Sequence, residues 1–175
     1  MLENKEVKQP KSLSEIVLDA LKELKETFLA FIKAPKALWG INIPYVLEGL
    51  VYFGILTILG KFSSENLGLE DTQAGLIYSF VTGGITFSML LLGGVSDKIG
   101  VRKSLALAFI IFLIGRLLVS LSGTLNLGNG LWSPMFFTMN FGLLIMVAAY
   151  GLYQPAAYAG VKRYTTPKTA AMAYA

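Results

Sequence analysis

Four long apolar segments are the feature that most constrains how this chain can fold. Each is about as long as a helix must be to cross the ~30 Å hydrocarbon core of a bilayer. The predicted membrane spans are residues 37–60, 73–96, 104–122 and 135–160. Hydrophobic residues make up 54% of the chain and charged residues only 15%, a composition too apolar for an ordinary soluble domain. The sequence therefore predicts an all-α fold, a polytopic transmembrane helical bundle.

A charged segment, residues 1–36, precedes the first span. Within it apolar residues recur at helical spacing on one side: Leu13, Ile16, Val17, Ala20, Leu21, Leu24, Phe28, Phe31 and Ile32. Ser12 followed by Glu15 predicts a capping box at the start of this helix, and Pro35 predicts a stop after its end. We interpret the segment as a cytoplasmic amphipathic helix that lies along the membrane interface, with a partner-binding helix as the alternative.

The positions of lysine and arginine predict the orientation of the spans. Seven lysines precede the first span, and further basic residues lie between the second and third spans and after the fourth: Lys98, Arg102, Lys103, Lys162, Arg163 and Lys168. The two alternate connections contain only Lys61. Because cytoplasmic loops carry the excess of basic residues, we expect a cytoplasmic N-terminus in an integral protein of the plasma (inner) membrane.

The composition excludes several classes of functional site. The chain contains no cysteine and no histidine, which excludes disulfides, thiolate or imidazole metal sites and Ser-His-Asp triads. We therefore expect no enzyme activity, no metal site and no cofactor. The net charge of +4 comes from basic residues at span ends, so anionic lipid headgroups are the expected partner and nucleic acid is not.

The segment between the second and third spans carries the most specific motif. It has a glycine, three residues, an acid and a base, one residue, a second glycine and a basic pair: Gly93, Asp97, Lys98, Gly100, Arg102 and Lys103. A tight cytoplasmic hairpin alone explains the glycine turn and the basic pair. It does not explain an acid at the membrane edge in register with both glycines.

This motif closely resembles the loop between the second and third spans of the major facilitator superfamily. The resemblance implies that the six residues form a gating loop that joins the two halves of a transporter on the cytoplasmic side. In that role the loop breaks and re-forms its contacts as the central site alternates its access, and Asp97 is the key acid. One departure is Val101, where that family often has a basic residue.

Two ionisable acid or base side chains lie well inside the predicted spans. Glu48 is about 15 Å and Arg116 about 18 Å from the cytoplasmic side, at 1.5 Å per helical residue. A charge at that depth costs at least ~2.5 to 3.5 kcal/mol, so it usually faces a partner or a wet cavity. Two interpretations stay open: Glu48 pairs with Arg116, or Glu48 binds a proton or a cationic substrate. Both hold if protonation breaks the pair.

The first and fourth spans also resemble a branch of that superfamily, the proton-dependent oligopeptide transporters. Glu48, Tyr52 and Phe53 match the first-span motif of that branch, whereas Tyr45, Gly49 and Leu50 stand at its first acid, its arginine and its phenylalanine. In the fourth span, Gln154 before Pro155 stands where the branch has a coupling lysine. The resemblance implies that Glu48, Tyr52 and Gln154 contribute to proton coupling or substrate binding, and Arg116 joins these candidates because it lies at the depth of Glu48.

The end of the chain bears on the function. Pro167 and the small residues after it predict a fifth span that begins at about residue 169, so we expect the N-terminal part of a longer chain. The predicted function is a secondary active transporter that moves a small solute by alternating access, coupled to protons by symport. Its expected partners are the solute, protons, the bilayer and the remainder of the same chain. The alternative is a self-contained four-span scaffold or anchor without transport activity.

Overall fold

The structure, a computed structural model, describes residues 12–125 and 127–174. Residues 1–11 of the predicted cytoplasmic segment lie outside the described residues. Within the described part the chain forms six α-helices: α1 (Leu13–Ile32), α2 (Lys36–Glu65), α3 (Asp71–Ile99), α4 (Val101–Thr124), α5 (Pro134–Tyr164) and α6 (Pro167–Tyr174). The all-helical fold is as predicted.

Helices α2 to α5 are each long and apolar enough to cross a membrane. They cover the four predicted spans and continue past them, by as much as five residues at the end of α2. The apolar segments are shorter than the helices, because a helix satisfies its own backbone hydrogen bonds and can continue through polar residues at its ends. As a result the connections are short, and a single residue, Gly100, separates α3 from α4.

Helix α5 lies at the centre of the bundle. It packs against α3 and α4. In its apolar 18-residue stretch 56% of the residues are buried, compared with 17–22% in the corresponding stretches of the other three long helices. The contact with α4 is closest at Gly115 and Gly142, where an added Cβ on either residue would lie within 3 Å of the carbonyl oxygen of the other. Glycine on both helices thus lets the two backbones meet, a packing device common in membranes.

The contact between α3 and α5 also depends on small residues. A Cβ on Gly151 would collide with the hydroxyl of Ser88, and a Cβ on Gly84 would lie 3.2 Å from Val147. Small residues at these two positions let α3 and α5 approach each other closely. This packing fixes the rotation of α5 about its axis, and with it the direction in which the α5 polar side chains point.

The two ends of the bundle differ in charge. One end, called the basic end here, carries the exposed Lys98, Arg102, Lys103, Lys162 and Arg163. At the opposite end, the N–H of Gly130 donates to the carbonyl oxygen of Leu67 at 2.7 Å and links the two connections there. The bundle therefore has a polar, basic face at one end and a hydrogen-bonded cap at the other.

Helix α1 precedes the bundle at the basic end. The predicted capping box is confirmed: the N–H of Ser12 donates to Glu15 Oε2 at 3.0 Å, and the N–H of Glu15 donates to Ser12 Oγ at 3.3 Å. Apolar side chains of α1 remain exposed, Leu13 at 82% and Leu24 at 58%. The interfacial position of this helix stays a prediction.

Candidate functional site

Glu48 of α2 is the most deeply placed acid in the described residues, with 5% of its surface exposed. Two donors from two other helices reach its Oε1 atom. Arg116 of α4 donates through Nη2 and forms an ion pair, and the hydroxyl of Tyr150 on α5 donates at 2.7 Å. The pair that the equal depths of Glu48 and Arg116 predict is therefore present. It links three helices at one carboxylate oxygen.

Arg116 is only partly satisfied by this arrangement. Its guanidinium carbon lies 5.0 Å from the centroid of the Phe112 ring, within the range of a cation–π contact. Its Nε atom is buried and has no hydrogen-bond partner among the described residues. A buried donor without a partner costs about 1–3 kcal/mol. A different position of the Arg116 side chain that satisfies Nε would therefore become more favourable when Glu48 loses its charge.

A cavity of about 250 Å³ lies beside Glu48, between α2 and α5, with Ile85 of α3 on its wall. Six residues of the two helices line it with polar side-chain atoms: Tyr45, Glu48, Tyr52, Tyr150, Tyr153 and Gln154. Within the described part of the chain no lysine or arginine is among the lining residues. The cavity therefore has one anionic group and no cationic one on its wall.

Tyrosine hydroxyls supply most of the remaining polar atoms around the cavity. The hydroxyl of Tyr45 donates to Gln154 Oε1 at 3.1 Å and lies 3.2 Å from the hydroxyl of Tyr158. The hydroxyl of Tyr153 is buried and has no hydrogen-bond partner among residues 12–125 and 127–174. Since buried polar groups are normally paired, this hydroxyl is available to a ligand or a water molecule.

The corner between α3 and α4 is a separate region at the basic end. Asp97 and Lys98 lie in the last turn of α3, and Arg102 and Lys103 lie in the first turn of α4, so the predicted loop is a helix–glycine–helix corner. Gly100 has φ 82° and ψ 156°, a conformation open essentially to glycine alone. All four charged side chains are exposed, and none of the four lines the cavity.

The Asp97 side chain has no fixed contact at this corner. Among the described residues no hydrogen bond or ion pair reaches it, although Lys98, Arg102 and Lys103 lie close in the sequence. A solvated acid at a helix end does not require a protein partner. Gly93 of the same motif approaches α5, since an added Cβ would lie 3.6 Å from Pro155.

Comparison with known proteins decides the family. The sequence model of the Major Facilitator Superfamily matches residues 2–175. The chain belongs to the major facilitator superfamily. Members of this superfamily are membrane transporters rather than enzymes, so this is an integral membrane protein of the transporter class. No curated protein and no solved structure matches the chain.

Within this major facilitator chain, the structure brings the sequence-predicted coupling residues to one place. Glu48, Tyr52 and Gln154 line the cavity, and Arg116 contacts Glu48 from α4. The six predicted gating residues lie elsewhere, around the α3–α4 corner. The match is to the superfamily as a whole, and the resemblance to the oligopeptide branch stays a prediction.

Sequence reasoning missed three polar residues that the structure places at these sites. Tyr150 and Tyr153 stand four and one residues before Gln154 on α5, a helical spacing that predicts a shared face. Ser104 is fully buried, and its hydroxyl donates to the carbonyl oxygens of Gly100 at 3.0 Å and Ser96 at 3.3 Å. A serine four residues after a turn glycine is a weak sequence signal, since serine hydroxyls commonly bond to the preceding turn of a helix.

Proposed function

We propose that this protein is a secondary active transporter that couples the movement of a small solute to protons, with Glu48 as the proton-binding residue. The observation that carries the proposal is a buried carboxylate, held by Arg116 and Tyr150, on the wall of a cavity inside the helix bundle. An ionisable residue kept inside a membrane bundle is costly, and function is the usual reason for it. Alternating access then presents this carboxylate to each side in turn.

Protonation of Glu48 changes the contacts of two other helices. The ionised carboxylate neutralises Arg116 of α4 and accepts the Tyr150 hydroxyl of α5. A protonated carboxyl group loses the Coulombic attraction to Arg116, whose guanidinium then needs other partners in a low-dielectric environment. Proton binding at one atom of α2 therefore alters the preferred position of α4 relative to α5, and so links proton binding to the conformational cycle of a transporter.

The α3–α4 corner is proposed as the gating loop on the cytoplasmic side, with Asp97 as its acid. Gly100 allows a one-residue turn, and this turn places Lys98, Arg102 and Lys103 together at the surface. Exposed charges with no fixed partner can form and release contacts at little cost in stability. These properties suit a contact that breaks and re-forms in every transport cycle.

The basic end is proposed to face the cytoplasm of the plasma membrane, following the excess of lysine and arginine there. Residues 1–175 contain no cysteine, so a cysteine introduced among them is the single one in this part of the protein, and the protein without it serves as the labelling control. In intact cells, a membrane-impermeant maleimide should label Gly128→Cys at the opposite end and leave Lys103→Cys unlabelled. The reverse pattern contradicts the orientation.

Glu48→Gln in the full-length protein tests the proton-coupling proposal. Glutamine resembles the protonated acid, so we expect proton-driven accumulation in proteoliposomes to be lost while exchange of labelled for unlabelled solute continues. Retained exchange also shows that the variant is folded. The matched control is Glu65→Gln at the exposed end of α2, where the acid pairs with Lys61. Unchanged proton-driven accumulation in Glu48→Gln removes Glu48 from the mechanism.

A further inference from the structure

Four tyrosines and one carboxylate form the wall of the cavity beside Glu48. We propose that the solute is an organic cation, whose ammonium group binds among the tyrosine rings next to Glu48. This inference rests on the proposed transport function, because it takes the same cavity as the solute site. It adds the chemical class of the solute, which neither the family nor the proton-coupling residue specifies.

The tyrosines come from two helices and face one another. Tyr45 of α2 stacks on Tyr153 of α5, with ring centroids 6.0 Å apart and an interplanar angle of 16°. Tyr52 of α2 meets Tyr150 of α5 edge to face at 5.3 Å. The face of an aromatic ring carries partial negative charge and attracts a cation within about 6 Å of its centroid. Each pair takes one ring from α2 and one from α5, so aromatic rings line the cavity from both helices beside Glu48, which suits a cation.

The charge of the wall supports the same class of solute. Glu48 is the single acid among the lining residues, and no lysine or arginine joins it within the described residues. An anionic solute would meet the Glu48 carboxylate and the negative ring faces without a compensating cation on the wall. An uncharged solute could gain a hydrogen bond from the carboxylate but not the Coulombic attraction that a cation gains in a low-dielectric site.

Hydrogen-bond acceptors are also available to an ammonium group. The hydroxyl of Tyr153 is buried without a partner, and the oxygen of such a hydroxyl can accept a hydrogen bond. Both observed donors to Glu48 use Oε1, so its Oε2 atom has no donor in the described structure. An N–H group of a primary, secondary or tertiary ammonium can bond to either atom and complete the pairing of buried polar groups.

The protein already holds a cation by this chemistry. The guanidinium of Arg116 is bound by the Glu48 carboxylate and lies over the face of Phe112 at 5.0 Å. A solute cation that approaches Glu48 from the cavity therefore shares the carboxylate with Arg116 or displaces it. Since a proton does the same, solute and proton act on a single ion pair, and this gives the site a direct link to coupling.

Binding of three small aromatic compounds of similar size tests the inference. The compounds are benzylammonium, benzyl alcohol and benzoate, which are cationic, neutral and anionic at pH 7, and the protein is the full-length chain in detergent. We expect benzylammonium to bind with a Kd at least about tenfold below those of the other two. Equal affinities, or tighter binding of benzyl alcohol or benzoate, overturn the inference. This comparison uses the unaltered protein and so does not depend on the folding of a variant.

Variants of Tyr52 sharpen the test because this residue is half-buried and its ring lines the cavity. Tyr52→Leu should weaken benzylammonium binding about tenfold. Tyr52→Phe should bind benzylammonium as the unaltered protein does, because the ring face remains. Tyr164→Leu, at the end of α5 and away from the cavity lining, is the matched control and should bind normally. Normal binding by Tyr52→Leu contradicts the role of the rings.

Failure of this inference is distinguishable from failure of proton coupling. If benzylammonium binds selectively and Glu48→Gln still shows proton-driven accumulation, the cation site stands and the coupling proposal is wrong. If Glu48→Gln loses accumulation but the three compounds bind equally, coupling stands and the cation site is wrong. Binding is measured at one pH without a proton gradient, so the two results are independent.

Discussion

Glu48 and Asp97 are both acids near basic residues, but the structure places them in opposite environments. Glu48 is buried and accepts two hydrogen bonds at one oxygen atom, one of them from Arg116. Asp97 is exposed and has no partner among the described residues, although Lys98 follows it directly. The difference shows that opposite charges close in the sequence need not form an ion pair, and that a pair is expected to matter for stability where it is buried.

The largest loss of stability is expected when Glu48 is removed from the buried Glu48–Arg116 pair. Glu48→Ala leaves the Arg116 guanidinium without an anion inside the bundle, which should lower the free energy of unfolding by about 3 kcal/mol or more. The measurement is chemical denaturation in mild detergent. Arg116→Ala added to Glu48→Ala should recover part of this loss, because no unpaired charge remains.

The exposed pair formed by Lys61 and Glu65 is the matched control for the Glu48 and Arg116 variants. Its atoms are 3.8 Å apart and both side chains are mostly exposed, so Glu65→Ala should cost at most about 0.5 kcal/mol. A double variant of Glu48 and Arg116 that is less stable than Glu48→Ala alone contradicts the view that the unpaired charge causes the loss.

A smaller loss is expected at the second donor to Glu48. Tyr150→Phe removes a 2.7 Å hydrogen bond to a charged acceptor and should lower the free energy of unfolding by about 1.5–3 kcal/mol. Tyr153→Phe is the control, because its hydroxyl is buried without a partner and its removal should leave stability unchanged or improved. Equal losses in the two variants contradict a specific contribution of the Tyr150 hydrogen bond to stability.

At the corner, the backbone rather than the charges should limit stability. Gly100→Ala places a Cβ in a conformation with φ 82° and ψ 156°, at a cost of about 1–3 kcal/mol. Gly94→Ala is the control, because a Cβ there meets nothing within 4 Å and alanine favours a helix interior. The measurement is the midpoint of thermal unfolding of each variant in detergent, which should be lower for Gly100→Ala. Similar midpoints for the two variants contradict the claim that the corner needs glycine.

The smallest change in stability is expected at Asp97. Asp97→Asn alters an exposed side chain with no partner among the described residues, so the free energy of unfolding should change by less than about 0.5 kcal/mol. If the corner gates transport, the turnover rate should nevertheless fall while solute binding is kept. Asp71→Asn, an exposed acid at the opposite end, should change neither quantity. Normal turnover in Asp97→Asn contradicts the gating role.

Much of the fold followed from the sequence, because its signals are local. Apolar segments of 19 to 26 residues predicted α2 to α5, and the Ser12–Glu15 capping box predicted the start of α1. The candidate site was predicted in part, since Glu48 and Arg116 share a depth in the membrane. The roles of Tyr150 and Tyr153 depend on the rotation of α5, which a single apolar segment does not reveal.

The sequence by itself determined that this chain forms membrane-spanning helices, which of them carry charges, and that a glycine separates α3 from α4. Tertiary structure alone decided which charges meet. Contacts at Gly115, Gly142 and Gly151 set how closely α5 approaches its neighbours, and this packing brings Tyr150 and Arg116 to the same oxygen of Glu48. The physical reason is that lipid favours apolar helices of any rotation, so only close packing between helices selects one arrangement.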